Sequence, residues 1–126
     1  MRALLLLALG GCLQDSSPNC KTMIVYSTIA IVDQNGNPVV GLTPHTIRES
    51  TGQDYAPGDF AQSSLPAGRY AVMSDSSTEL GASPEHFHFV ASGTAGTATL
   101  DLTARVVGPC GELAIQPTPF PTLVVH

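Results

Sequence analysis

Residues 97–107, TATLDLTARVV, constrain the fold more than any other stretch of the chain. Ala98, Leu100, Leu102, Ala104 and Val106 fall on one side of an extended backbone, with Thr97, Thr99, Asp101, Thr103 and Arg105 on the other. Alternation with period two marks a strand with one buried and one solvated face. Residues 85–91, EHFHFVA, repeat the pattern, with Phe87 and Phe89 on one face and His86, His88 and Val90 on the other. Gly, Pro, Ser and Thr abound while helix formers are sparse, which again favours strands and turns. At 126 residues there is room for one domain, and 43% apolar against 12% charged residues allows a packed core. The expected fold is all-β, a small antiparallel β-sandwich of about seven strands.

The sandwich is expected to open in residues 29–50, IAIVDQNGNPVVGLTPHTIRES. The β-branched and aromatic run at 21–32 suits a central strand. The cluster Asp33-Gln34-Asn35-Gly36-Asn37 stops it, because Asn and Gly tolerate the backbone of a tight turn. Residues 38–42 resume the chain, Gly41-Leu42-Thr43-Pro44 turns it again, and 46–50 offer a further strand. Residues 51–65 lack periodicity and read as a surface loop with Tyr55 and Phe60 pinned on the core. Residues 69–74 form a strand in which Tyr70 and Val72 share a face, 75–84 a loop and 92–96 a turn. Short strands at 110–115 and 123–125 close the domain. No helix is expected, 43–48 being the one segment suited to a helical turn.

The N-terminal residues are set apart from the fold. Residues 1–11, MRALLLLALGG, combine one Arg, a short apolar run and a small-residue exit, the pattern of an export signal. The run is too short for a spanning helix, which needs about 20 apolar residues. Leu9-Gly10-Gly11-Cys12 resembles the lipobox of bacterial lipoproteins. That resemblance implies lipid attachment at Cys12, cleavage before it, and acylation of the new amino group. Residues 12–19 then form a polar tether and 20–126 the sandwich domain. Leu13, in place of the Asp that retains some lipoproteins on the inner membrane, favours the outer membrane. Loss of Arg2 leaves four basic residues against ten acidic ones, a formal charge of −6 with His neutral.

With Cys12 committed to lipid, Cys20 and Cys110 remain as a pair in an oxidising compartment. A disulfide between them would close a loop of about 90 residues, worth on the order of 4–5 kcal/mol less any strain. The alternative is two buried free thiols.

Three phrases carry a second resemblance: VDQNGNPVVGLTPHTIRES, the Gly-x-Tyr of PAGRYAV, and the Thr-rich strand before Cys110. Together they resemble carboxypeptidase-regulatory-like and bacterial Ig-like modules over roughly residues 21–125. The resemblance implies an Ig-like or transthyretin-like sandwich. It implies no activity, since such scaffolds serve many functions.

Few residues offer chemistry. Asp33, Asn35 and Asn37 have the spacing that opens a calcium loop, but Pro38 and Pro44 stand where that loop needs Gly and Glu, so a hairpin turn is expected. His86 and His88, two apart on a strand, project from one face and could bind Zn²⁺ or Cu²⁺ if His45, Glu85 or Asp101 converged on them. Nothing in the sequence places those residues nearby, and exposed polar positions are the expected outcome. No serine lies in a Gly-x-Ser-x-Gly elbow, and no glycine cluster forms a phosphate cradle. The basic residues Lys21, Arg48, Arg69 and Arg105 are scattered, which argues against nucleic acid as a partner. A sugar-stacking platform would have to use Tyr26, Tyr55, Phe60 or Tyr70.

The sequence thus leads to a non-catalytic, cofactor-free module. It is expected to be lipid-anchored in a bacterial cell envelope, with a structural role or an envelope protein or glycan as partner. The alternative is a metal-binding envelope lipoprotein using His86 and His88.

Overall fold

A computed structural model of the chain describes residues 26–74 and 80–126. The export signal, Cys12, the tether and Cys20 lie outside the described residues. Seven strands and one short helix follow in order: β1 (Tyr26–Val32), β2 (Thr43–Arg48), α1 (Asp59–Ser63), β3 (Arg69–Ser74), β4 (Glu85–Gly93), β5 (Gly96–Val107), β6 (Glu112–Gln116) and β7 (Leu123–Val124). They form two sheets, of order β3-β1-β7 and β2-β4-β5-β6. The all-β sandwich expected from the alternating strands is the observed fold. One sheet is mixed rather than antiparallel, because β7 runs parallel to β1.

The core lies between the sheets. Phe87, Phe89 and Ala91 of β4 face Ile29 and Ile31 of β1, and Ala98, Leu102 and Ala104 of β5 extend the same layer. The alternation in the sequence therefore assigned the inner faces of β4 and β5. It did not do so for β3. A register shift against Ser27 and Thr28 lets the consecutive residues Val72 and Met73 both join the core, as a β-bulge allows.

Hydrogen bonds stitch both sides of the sandwich. On one side the fully buried Thr46 donates from Oγ1 to the Val72 carbonyl at 2.6 Å, joining β2 to β3. On the other, the Thr97 and His126 backbones exchange two bonds of 3.1 and 3.0 Å, joining the C-terminal residues to β5.

Three expectations need correction. Residues 38–42 make only an isolated bridge, Val32 with Pro38, and no strand. Their polar groups are met instead by the Tyr70 hydroxyl, which donates to the Val39 carbonyl at 2.7 Å and accepts from the Leu42 amide at 3.3 Å. The strand expected at 46–50 is β2, Thr43–Arg48, which begins earlier, within the turn expected at 41–44, because it pairs with β4 from Thr43 onward. The loop at 51–65 contains α1, a helix of five residues, too short to show an apolar period. Within it Ala61 is buried, but Phe60 is 89% exposed and so not pinned on the core, whereas Tyr55 is.

The turn after β1 is the hairpin expected over a calcium loop. The Asp33 carboxylate accepts from the Asn35 and Asn37 amides at 2.8 and 3.0 Å, and Gly36 supplies the positive φ of 83°. Asp33 Oδ1 thus caps its own turn. No helix among the described residues is long and apolar enough to cross a membrane.

Candidate functional site

Strand β2 and the chain after it build a site where polar side chains surround a cavity. After Arg48 the chain turns through Thr51 and Gly52, whose amides bond to the Arg48 carbonyl, and returns along β2. The Arg48 amide donates to Gln53 and the Tyr55 amide to Thr46, placing Asp54 beside the strand. Asp54 Oδ1 accepts from the Thr46 and Ala56 amides at 2.9 and 3.0 Å, and Oδ2 lies 2.6 Å from His45 Nδ1. Burial pushes the Asp54 carboxyl up, but His45 and the two amides outweigh it and hold the group below its ordinary value. The ionised carboxylate accepts from His45 Nδ1–H and so fixes the orientation of the ring.

A cleft of about 250 Å³ opens beside this pair. Leu42, Thr43, Pro44 and His45 line one wall, and Ala56, Pro57, Gly58, Asp59 and Gln62 the other. The second wall is fixed by Gln62. Its side-chain amide donates to the Arg69 carbonyl at 2.7 Å and accepts from the Ala71 amide at 3.1 Å, occupying the free edge of β3 as a neighbouring strand would.

His86 and His88 do project from one face, the outer face of β4, and both are exposed. Of the three ligands weighed beside them, only Asp101 comes near, its Oδ1 2.7 Å from His88 Nδ1 across the β4–β5 pair. His45 is held by Asp54, and Glu85 lies on the opposite face of the strand. Glu85 takes two bonds from Arg48, of 2.7 and 2.6 Å, and one from Ser50. Arg48 holds the Glu85 carboxyl below its ordinary value, and Glu85 raises the guanidinium in return. Among the described residues no group of three His, Cys, Asp or Glu side chains converges as a metal site would require.

Two of the four candidate stacking residues, Tyr55 and Tyr70, are spent in the core, Tyr55 edge-on against Phe87 at 5.3 Å. Asp54, Asp59 and Gln62 were not singled out in the sequence. The signal available was Pro57-Gly58-Asp59, a helix-start pattern that places an acid in the first turn. Cys110 lies in the turn between β5 and β6. No protein family, curated protein or solved structure matches the chain.

Proposed function

We propose that the chain is a lipid-anchored module of a bacterial cell envelope, non-catalytic, acting through contact with protein or glycan. The observation that carries this reading is Leu9-Gly10-Gly11-Cys12 at the end of a short apolar run. Several acyl chains at Cys12 would hold the domain to a membrane where a single chain binds only marginally.

The layout of the sandwich supports it. Tyr26 pairs with Ser74, and Glu85 with Ala104, so β1 begins at the end of the sandwich where β3 and β5 finish. An anchor at Cys12 therefore attaches at that near end, through residues 13–25, a contour of at most about 45 Å. The turn with Cys110 lies at the same end. Cys20 precedes Tyr26 by six residues, at most about 20 Å of chain, which is compatible with a Cys20–Cys110 disulfide. The turns at 33–37 and 93–96 lie at the far end, with the cleft on the flank towards it. They would face away from the membrane. An Ig-like or transthyretin-like ancestry remains part of this reading through the phrases quoted for it.

Cell fractionation of a Cys12→Ser variant tests the proposal. The unaltered protein should sediment with membranes and be released by detergent, and the variant should not carry lipid. Recovery of the unaltered protein as a soluble, unlipidated product would overturn the anchoring.

A further inference from the structure

We infer that Asn35 is a covalent modification site, deamidating through attack by the Gly36 backbone nitrogen, and that the Asp33 turn holds this reaction in check while the sandwich is folded. The inference concerns the far end of the sandwich and does not depend on the anchor.

The sequence supplies the reactants, since Asn35-Gly36 is the chain's one Asn-Gly pair. The Gly36 nitrogen gives up its proton to base and attacks the side-chain carbonyl carbon of Asn35. The new C–N bond closes a succinimide ring, the bond to the side-chain nitrogen breaks, and that nitrogen takes up a proton and leaves as ammonia. Water then opens the ring at either carbonyl and leaves aspartate or isoaspartate at position 35. No oxidant or reductant takes part. Glycine favours the attack because no side chain crowds its nitrogen. Of the other asparagines, Asn37 precedes Pro38, whose nitrogen has no proton to lose, and Asn19 precedes Cys20, which carries a side chain. Asn35 and Gly36 are both exposed, and a Cβ placed on Gly36 would meet nothing within 4 Å, so water and base have access.

The structure supplies the restraint. The Gly36 amide donates to the Asp33 carbonyl at 3.0 Å, so the attacking nitrogen is engaged and its peptide plane is fixed. The Asp33 amide donates to the Asn37 carbonyl at 2.9 Å and closes the turn from the other side. Asp33 Oδ1 accepts from the Asn35 and Asn37 amides at 2.8 and 3.0 Å, holding the backbone on both sides of Gly36. The carboxylate also opposes loss of the Gly36 proton, because the resulting anion would lie between the two amides it holds. Gln34 ties the turn to the rest of the fold, its Nε2 donating to the Val125 carbonyl at 3.1 Å. Attack therefore requires the turn to open, and its rate follows the open population. An isoaspartate product adds a carbon to the backbone and breaks the spacing at which Asp33 meets the Asn37 amide.

Peptide mapping by mass spectrometry provides the test. The purified full chain is incubated in mildly alkaline buffer, once folded and once in concentrated guanidinium chloride. Cleavage after Lys21 and Arg48 then isolates residues 22–48 as one peptide. Fragmentation locates the amide-to-acid mass change, and an isoaspartyl methyltransferase reports the isoaspartate. The folded protein should deamidate at Asn35 at least about tenfold more slowly than the unfolded one, and Asp33→Ala should recover most of that factor in the folded protein. Gln34→Ala should accelerate the reaction by a smaller factor, and Asn35→Gln should abolish it. An unaltered circular dichroism spectrum of Asp33→Ala separates an opened turn from an unfolded domain. The comparison of folded with unfolded protein needs no variant, so it decides even where Asp33→Ala does not fold. Equal rates in the folded and unfolded protein would overturn the inference. So would absence of product at Asn35 in the unfolded protein, or a folded Asp33→Ala as slow as the unaltered chain.

Discussion

The two ends of the sandwich are held together by different means. At the near end, where β1 begins, a side-chain network is added to backbone bonds such as that from the Val106 amide to the Gly81 carbonyl: Arg48 grips Glu85 with two bonds, and Ser50 and Tyr55 complete the network. At the far end, backbone approaches backbone. Thr97 and His126 exchange two hydrogen bonds there. A Cβ placed on Gly68 would stand 2.6 Å from Pro38 Cβ, and one on Gly93 would stand 2.6 Å from the Gly41 carbonyl oxygen. The near end is also where the proposed Cys20–Cys110 link would fall and where the proposed anchor would enter. Backbone joints fix loop positions closely, which suits an end and flank that present a cleft.

The largest effect should come from the near end. If Cys20 and Cys110 are bridged, as proposed, reduction or Cys20→Ser removes a few kcal/mol of stability. For a domain of this size about 1 kcal/mol moves the melting temperature by roughly 4–8 °C, so a fall of about 10 °C or more is expected by calorimetry. Alkylation of both thiols in the native exported protein would break this side of the comparison.

Gly68→Ala probes the far end. Gly68 has φ of 81°, which a Cβ disfavours, and the contact with Pro38 adds a clash with the start of the returning chain. The expected cost is about 1–3 kcal/mol, seen as a melting temperature lowered by several degrees. A neutral result would mean that the two ends do not differ as described.

How far these joints could be read in the sequence depends on their range. The inner faces of β4 and β5 were legible because alternation is local: Phe87, Phe89, Ala98, Leu102 and Ala104 declare themselves within their own strands. The turn at Asp33 was legible for the same reason. The bulge that admits both Val72 and Met73 was not, since it depends on the register with β1. Nor was the fate of residues 38–42, decided by a Tyr70 hydroxyl 28 or more positions away. The cleft shares this dependence. His45 and Asp54 are nine apart, a separation without meaning until the chain doubles back along β2. The His86–His88 face was legible as a face, but the partner of His88 required the β4–β5 register.

The cleft should respond to acid in a defined direction. The Asp54 carboxyl is held below its ordinary value of 3.8, so its contribution to stability is present in full above that value and lost as the pH falls through the lower folded value. Asp54→Ala should cost about 1 kcal/mol near neutral pH, mostly from the Thr46 and Ala56 amides left without their acceptor. Solvent screens the half-exposed His45–Asp54 pair, which limits its own share. The difference between the variant and the unaltered protein should shrink below pH 3.8. A difference that grew with acidity would contradict the assigned hydrogen bonds.

The smallest effect belongs to the outer face of β4. His86→Ala with His88→Ala should change stability by no more than about 0.5 kcal/mol per site, because both side chains are exposed and Asp101 is 84% exposed. Stoichiometric, sub-micromolar Zn²⁺ binding in calorimetry, lost in the double variant, would instead favour the metal-binding alternative.

The account as a whole rests on an anchor at the near end of the sandwich, and mass spectrometry of the mature N-terminus addresses it most directly. The protein should be extracted from membranes of the cells that produce it and its first peptide sequenced. The account predicts a chain beginning at Cys12, with a diacylglyceryl group on its thiol and an acyl group on its amine. A mature chain that begins elsewhere, or an unmodified Cys12, would contradict it.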